Sequence, residues 1–181
     1  ALNNYLDCQL RFYLKYVAKL QAPEEVTAEI DSATFGNIFH KSAEYIYKDL
    51  TEHNSLIVKE DIEKLLKDPV RIENYVDRAF KELFFHISLD EKPEYNGTQL
   101  INSAVIVRYI KQLLQHDLKH APFTFVGSEK YVSERICIHT PSGDFTSRIG
   151  GCIDRIDKKD DTLRIVDYKT GGKADKAPSV A

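Results

Sequence analysis

The periodicity of the chain changes once, at Pro122, and that change divides it into two structurally different halves. Before Pro122, apolar residues recur at helical spacing; from Phe123 onward, β-branched and aromatic residues dominate stretches bounded by turn signals. In the first half, "LNNYLDCQLRFYLKYVAKL" (2–20) spaces Leu2, Tyr5, Leu6, Phe12, Tyr13, Tyr16 and Leu20 as a helix would, with Arg11, Lys15 and Lys19 on a basic side. Pro23 in "QAPEE" ends it. Ser32 is the expected N-cap of a second helix, "ATFGNIFHKSAEYIYKDL" (33–50), with Phe35, Ile38, Phe39, Ile46 and Leu50 as its apolar stripe. Asp68-Pro69 supplies a cap and a proline at the first helical position for "VRIENYVDRAFKELFFHI" (70–87). Asn96-Gly97 separates that helix from a fourth, "TQLINSAVIVRYIKQLLQHDLKH" (98–120). In the second half, "FTFVGSEKYVSERICIHT" (123–140), "FTSRIGGCIDRID" (145–157) and "TLRIVDYKT" (162–170) read as strands, joined by turns at "PSGD" (141–144) and "KKDD" (158–161). The expected architecture is α/β: a three-stranded antiparallel meander behind four helices, with a loop or disordered tail over 172–181.

Composition narrows the function classes. A chain of 181 residues, 43% apolar and 29% charged, is ordinary for a globular domain with a real core. A net charge of −3 and a pI near 6.1 do not mark a strong polyanion binder. No apolar run approaches the ~20 residues of a membrane span, and no signal peptide is visible. Cys8, Cys137 and Cys152 form no CxxC pair and leave an odd thiol, which points to a reducing, cytoplasmic setting. Methionine is absent, even at position 1, so the chain reads as a piece of a longer protein.

The chemistry concentrates in the last two strands. Alternation puts Asp167 and Lys169 on one face with Leu163 and Ile165, and puts Gly150, Cys152, Asp154 and Ile156 on one face of the preceding strand. The tight turn at 158–161 makes the strands neighbours, so Asp154 can lie close to Asp167 with Lys169 beside them. Two such carboxylates repel unless a proton or cation sits between them, and an all-oxygen pair suits a hard ion such as Mg²⁺. A lysine there can orient a water and offset charge on a phosphate. Simpler readings stand alongside: solvated charges or a salt bridge at Asp167 and Lys169, pairing of Asp154 with Arg155, and a strand-end turn role for Asp157. His40 sits at the edge of the second helix's stripe, with Gly36 one turn earlier leaving space for another backbone or a ligand. The remaining histidines, 53, 86, 116, 120 and 139, are expected on the surface.

"GGCIDRID" followed by "IVDYKTG", together with "FGNIFH" and the aromatic-rich opening "LNNYLDCQLRFYLKY", resembles the RecB-like branch of the PD-(D/E)XK nuclease superfamily over residues 1–171. That resemblance implies a restriction-endonuclease-like core, with a helical part over 1–121 and catalytic strands over 123–170. It implies that Asp154 and Asp167 are metal-binding acids, that Lys169 is the catalytic lysine, and that His40 and the backbone carbonyl of Tyr168 are further ligands. Glu129 matches a further acidic position near the site. The implied activity is Mg²⁺- or Mn²⁺-dependent, exonuclease-like cleavage of DNA in repair or recombination, beside a helicase subunit or fused helicase domain. The alternative is a nuclease fold without catalysis, serving DNA binding or scaffolding. Arg11, Lys15, Lys19, Lys173 and Lys176 are candidate phosphate contacts.

Three departures accompany the resemblance. Ile153 stands where a proline is common. Cys8 is followed by Gln9 rather than proline; in some relatives such a cysteine joins three near the C-terminus around a [4Fe–4S] cluster. Cys137 and Cys152 do not match those three, so no cluster is expected here, and Cys8 is read as a buried, inert thiol. Nothing after Thr170 supplies the family's Gln-x-x-x-Tyr helix, which puts the activity of this stretch alone in question.

Overall fold

The apolar stripe of the second helix forms as its spacing requires, in a computed structural model that describes residues 2–20, 29–141 and 143–171, with side chains from Asn4 onward. Pro23, Ser142 and the tail from 172 on, with Lys173 and Lys176, lie outside the described residues. Chain order is α1 (Leu2–Asp7), α2 (Gln9–Phe12), α3 (Ser32–Leu50), β1 (Leu56–Ile57), α4 (Lys59–Leu66), α5 (Pro69–Phe80), α6 (Gly97–His120), β2 (Phe123–Thr140), β3 (Gly143–Lys159) and β4 (Thr162–Val166). One π-helical turn follows α2 at Tyr13–Val17 and another follows α5 at Lys81–Phe85.

The caps explain most boundaries. The cap of α3 is Asp31 rather than Ser32: Asp31 Oδ1 accepts the Thr34 N–H at 2.7 Å, and Ser32 is already helical. Asp68 accepts from the Arg71 N–H with Pro69 at the first helical position, as expected. Asn96 and Gln99 form a reciprocal capping box on α6. The first segment is not one continuous helix. It breaks at Cys8, which adopts extended backbone, and its rings pack on one another, Tyr5 against Phe12 at 5.3 Å and Phe12 against Tyr16 at 5.1 Å. Cys8 is exposed, not buried, because the residues around it on α1 and α2 also face outward.

Ile38, Ile46, Ile72, Phe80, Ile106 and Ile110 from α3, α5 and α6 are at most 1% exposed and form the centre of the core. Each such side chain contributes about 1.5–3 kcal/mol by leaving water. The sheet has the order β1-β2-β3-β4, antiparallel throughout. The three expected strands are present, though the third, expected over 162–170, ends at Val166 and leaves 167–170 beyond the sheet; the two-residue β1 adds a fourth by pairing Leu56 with Thr124 and Ile57 with Phe123. The short α4, buried through Ile62 and Leu65, is a further helix beyond the four expected. The β2–β3 hairpin runs out to Thr140 paired with Gly143, and beyond Tyr131 most residues on both its faces are exposed.

The sheet docks on α6 through buried charge. Arg155 of β3 donates to both carboxylate oxygens of Asp117 on α6, at 2.7 and 3.0 Å, and lies 3.1 Å from Asp157. Arg164 of β4 reaches the same two acids, Tyr47 of α3 donates to Asp117, and the Arg155 guanidinium stacks 4.2 Å from the Tyr47 ring. Asp157 is therefore a fully buried charge rather than a turn residue, because it shares the inward face of β3 with Arg155.

Candidate metal centre

The site is assembled where the open end of β4 passes α3. Gly36 makes the approach possible: a Cβ there would lie 3.3 Å from the Thr170 hydroxyl, so the stretch after β4 packs against the helix surface that glycine leaves open. One turn later His40 reaches into that junction. Its Nε2 lies 3.3 Å from the Tyr168 carbonyl oxygen, and its ring meets the Tyr168 ring edge-on at 5.4 Å.

Strand register puts two acids at one level of the sheet and a third just past the end of β4. Ser128 pairs with Arg155 and Lys130 with Ile153, so Glu129 lies opposite Asp154; Val166 pairs with Arg155, so Asp167 follows on the other side. Glu129 occupies the left-handed region at φ 49°, just past a bulge between Phe125 and Gly127. A glutamate held there is strained by about 1–3 kcal/mol, and such strain concentrates where a side chain is aimed at a task.

Glu129 Oε1 lies 3.5 Å and Asp154 Oδ1 3.7 Å from His40 Nδ1. Asp154 Oδ2 accepts the Tyr168 N–H at 2.6 Å. His40, Glu129 and Asp154 each offer an atom within 4.8 Å of the others. One ring nitrogen of His40 thus faces the Tyr168 carbonyl and the other the two carboxylates, and in either tautomer one of them keeps a lone pair for a cation. One nitrogen and two anionic oxygens converging without an ammonium between them fit a hard divalent cation. Cys152 flanks the group, its Sγ 3.5 Å from Glu129 Oε2; desolvation and that hydrogen bond push its thiol pKa up.

Asp167 and Lys169 stand apart from this trio. Asp167 is 62% exposed at its side chain, and the Lys169 ammonium lies 2.8 Å from its carboxylate. Lys169, Thr170 and Gly171 line a groove with Phe39, Tyr109 and Gln112. Arg11, Lys15 and Lys19 are exposed on and just after the first segment, with Lys15 above the Tyr16 ring. His53, His86, His116 and His139 are exposed, whereas His120 is half-buried against Phe123, its pKa lowered by desolvation and by Arg164 and Lys159. A second group of ligand-type side chains among the described residues, Cys137, His139 and Asp144, lies exposed at the hairpin's far end; His139 pairs there with Asp144 at 2.7 Å.

Sequence reasoning missed the residues that hold the site in place. Arg155 sits between Asp154 and the buried acids, and its charge is maintained by Tyr47 and Asp117 against desolvation. The alternation of "DRID" was the available signal: it assigns Asp154 and Ile156 to one face and Arg155 and Asp157 to the other.

A family model described as the PD-(D/E)XK nuclease superfamily matches residues 1–181. The chain is 26% identical over 181 residues to an ATP-dependent helicase/deoxyribonuclease subunit from Carboxydothermus hydrogenoformans, covering 94% of this chain and 16% of that protein. It is 28% identical over 183 residues to the protein of the same name from Clostridium novyi, covering 95% of this chain and 15% of that one. The chain thus spans a minor part of each relative's length.

Proposed function

The chain belongs to the PD-(D/E)XK nuclease superfamily, and from that premise we propose that it hydrolyses DNA phosphodiesters, exonuclease-like, with Mg²⁺ or Mn²⁺. The observation that carries the reading is the convergence of His40, Glu129 and Asp154 at the level of the sheet where Asp167 and Lys169 follow. His40, Glu129, Asp154, Asp167 and the Tyr168 carbonyl would hold the ion. When bound, it supplies positive charge beside the scissile phosphate and makes a water more acidic. Lys169 positions the attacking water and donates a hydrogen bond to the phosphate oxygen on which charge grows. Asp167, in contact with the ammonium, keeps it aimed. Water adds to phosphorus, the bond to the leaving sugar oxygen breaks, and that oxygen takes up a proton. The names of the two relatives support DNA as substrate and a helicase as partner.

The test uses linear DNA with Mg²⁺ or Mn²⁺ and the full chain. Asp154→Ala and Lys169→Ala are expected to slow cleavage by about 10²–10⁴-fold, as loss of one charge-stabilising or proton-transferring group does. A Lys169→Ala protein that cuts as well as wild type rejects the mechanism. Saturable Mn²⁺ binding with no cleavage under any condition points instead to a nuclease fold used for DNA binding or scaffolding.

A further inference from the structure

The face of the β2–β3 hairpin that leads to Asp154 has a character that metal binding does not explain. On β3 that face carries Asp154, Cys152, Gly150 and Arg148 in alternation; the register sets Tyr131, Ser133 and Arg135 of β2 beside the last three. Arg135 and Arg148 are directly opposed across the ladder, and both are exposed. Like charges in that position destabilise a sheet unless an anion lies over them, and among the described residues neither has an acidic partner.

Between this pair and the metal centre the surface is kept low and flat. A Cβ on Gly150 would lie 2.7 Å from the Tyr131 hydroxyl oxygen, 2.7 Å from the Val132 carbonyl oxygen and 2.8 Å from Ser133 Cβ, so no side chain fits there. The Tyr131 hydroxyl reaches over that bare glycine while the residue stays 69% exposed, so its ring is open to solvent on the face that carries the arginine pair. From Arg148 to Asp154 is about 20 Å at ~3.3 Å per strand residue, a span of a few nucleotides. An exposed ring plus a cationic pair, in line with the candidate metal centre, is the combination that holds an unpaired strand; a duplex would offer the ring no free base to stack on.

We propose that this hairpin face is a track for a single nucleic-acid strand, with Tyr131 stacking a base and Arg135 and Arg148 holding phosphates. What happens at its inner end rests on the nuclease reading; the binding does not.

The experiment measures anisotropy of a labelled oligothymidylate, and of a duplex of equal length, across a salt series with the full chain. Arg135→Ala/Arg148→Ala is expected to bind the single strand about tenfold more weakly, with a salt slope shallower by about 1.4, from two phosphates at ~0.7 each. Tyr131→Ala should weaken single-strand binding by about five- to a hundredfold, Tyr131→Phe should bind as wild type, and duplex binding should be unmoved by either. The proposal is overturned if wild type does not bind the single strand, if the arginine variant keeps affinity and slope, if Tyr131→Phe fails as Tyr131→Ala does, or if Tyr131→Ala weakens the duplex equally. Hydrolysis of bis(p-nitrophenyl) phosphate with Mn²⁺, a substrate too short to reach the track, separates the two readings. Wild type and track variants should hydrolyse it alike; if none does, the nuclease reading fails and the anisotropy still decides the track.

Discussion

Asp154 divides its two oxygens between tasks: Oδ2 is held by the Tyr168 N–H, and Oδ1 faces His40. Asn at this position keeps an acceptor for that N–H but removes the charge. Asp154→Asn is therefore expected to leave the metal-free melting temperature equal or higher, since repulsion with Glu129 disappears, and to abolish the thermal shift that millimolar Mn²⁺ gives wild type. The neighbouring Arg155 behaves oppositely. Its removal leaves two buried acids, Asp117 and Asp157, with Arg164 as their remaining arginine. Arg155→Met should cost about 3–5 kcal/mol, read as a lower urea midpoint at unchanged slope. Two adjacent residues on opposite faces of one strand thus separate function from stability. Asp154 was legible as a candidate ligand from its spacing to the D-x-K stretch, whereas the partner of Arg155 was not, because Asp117 lies 38 residues away on a helix that reads as ordinary.

At the scale of elements, α3 connects core and site: one side buries Ile38, Ala43 and Ile46, and its edge carries Gly36 and His40. A glycine inside a helix costs up to about 1 kcal/mol relative to alanine, so its use here reflects the contact with Thr170. Gly36→Val should displace the stretch carrying Lys169 and Thr170, lowering cleavage at least tenfold while the melting temperature changes little. Equal activity in that variant would show that this contact does not set the site. The α6 cap is structural only: Asn96→Ala should cost about 1 kcal/mol with cleavage unchanged. Long periodic helices and strands of this kind announce themselves in sequence. The two-residue β1 and eight-residue α4 do not, since so few residues carry too little periodicity to stand out and are fixed by what they pack against.

Across the whole molecule, a helical layer and an antiparallel sheet are joined by buried ion pairs as well as by apolar packing. Among the described residues no helix is long and apolar enough to cross a membrane. Burial alone would raise the Asp117 carboxyl, but Arg155, with Tyr47 and Arg164, holds it below its ordinary value. A depressed carboxyl contributes stability above its unfolded value, near ~3.9, and that stability is lost as pH falls through the folded value. The urea midpoint should therefore drop steeply below about pH 4, and Asp117→Asn, less stable at neutral pH, should show a shallower acid slope. The sequence by itself determined the α/β order, the strand faces and the candidate ligands, because periods of 3.6 and 2 and the D-x-K spacing are local properties of the chain. Only the tertiary structure decided that His40 and Glu129 meet Asp154 while Asp167 turns to Lys169, that Arg155 and Asp117 hold the sheet to α6, and that the Tyr131 hydroxyl reaches over Gly150. Those arrangements depend on register, on a left-handed backbone at Glu129 and on contacts far apart along the chain, none of which a local pattern encodes.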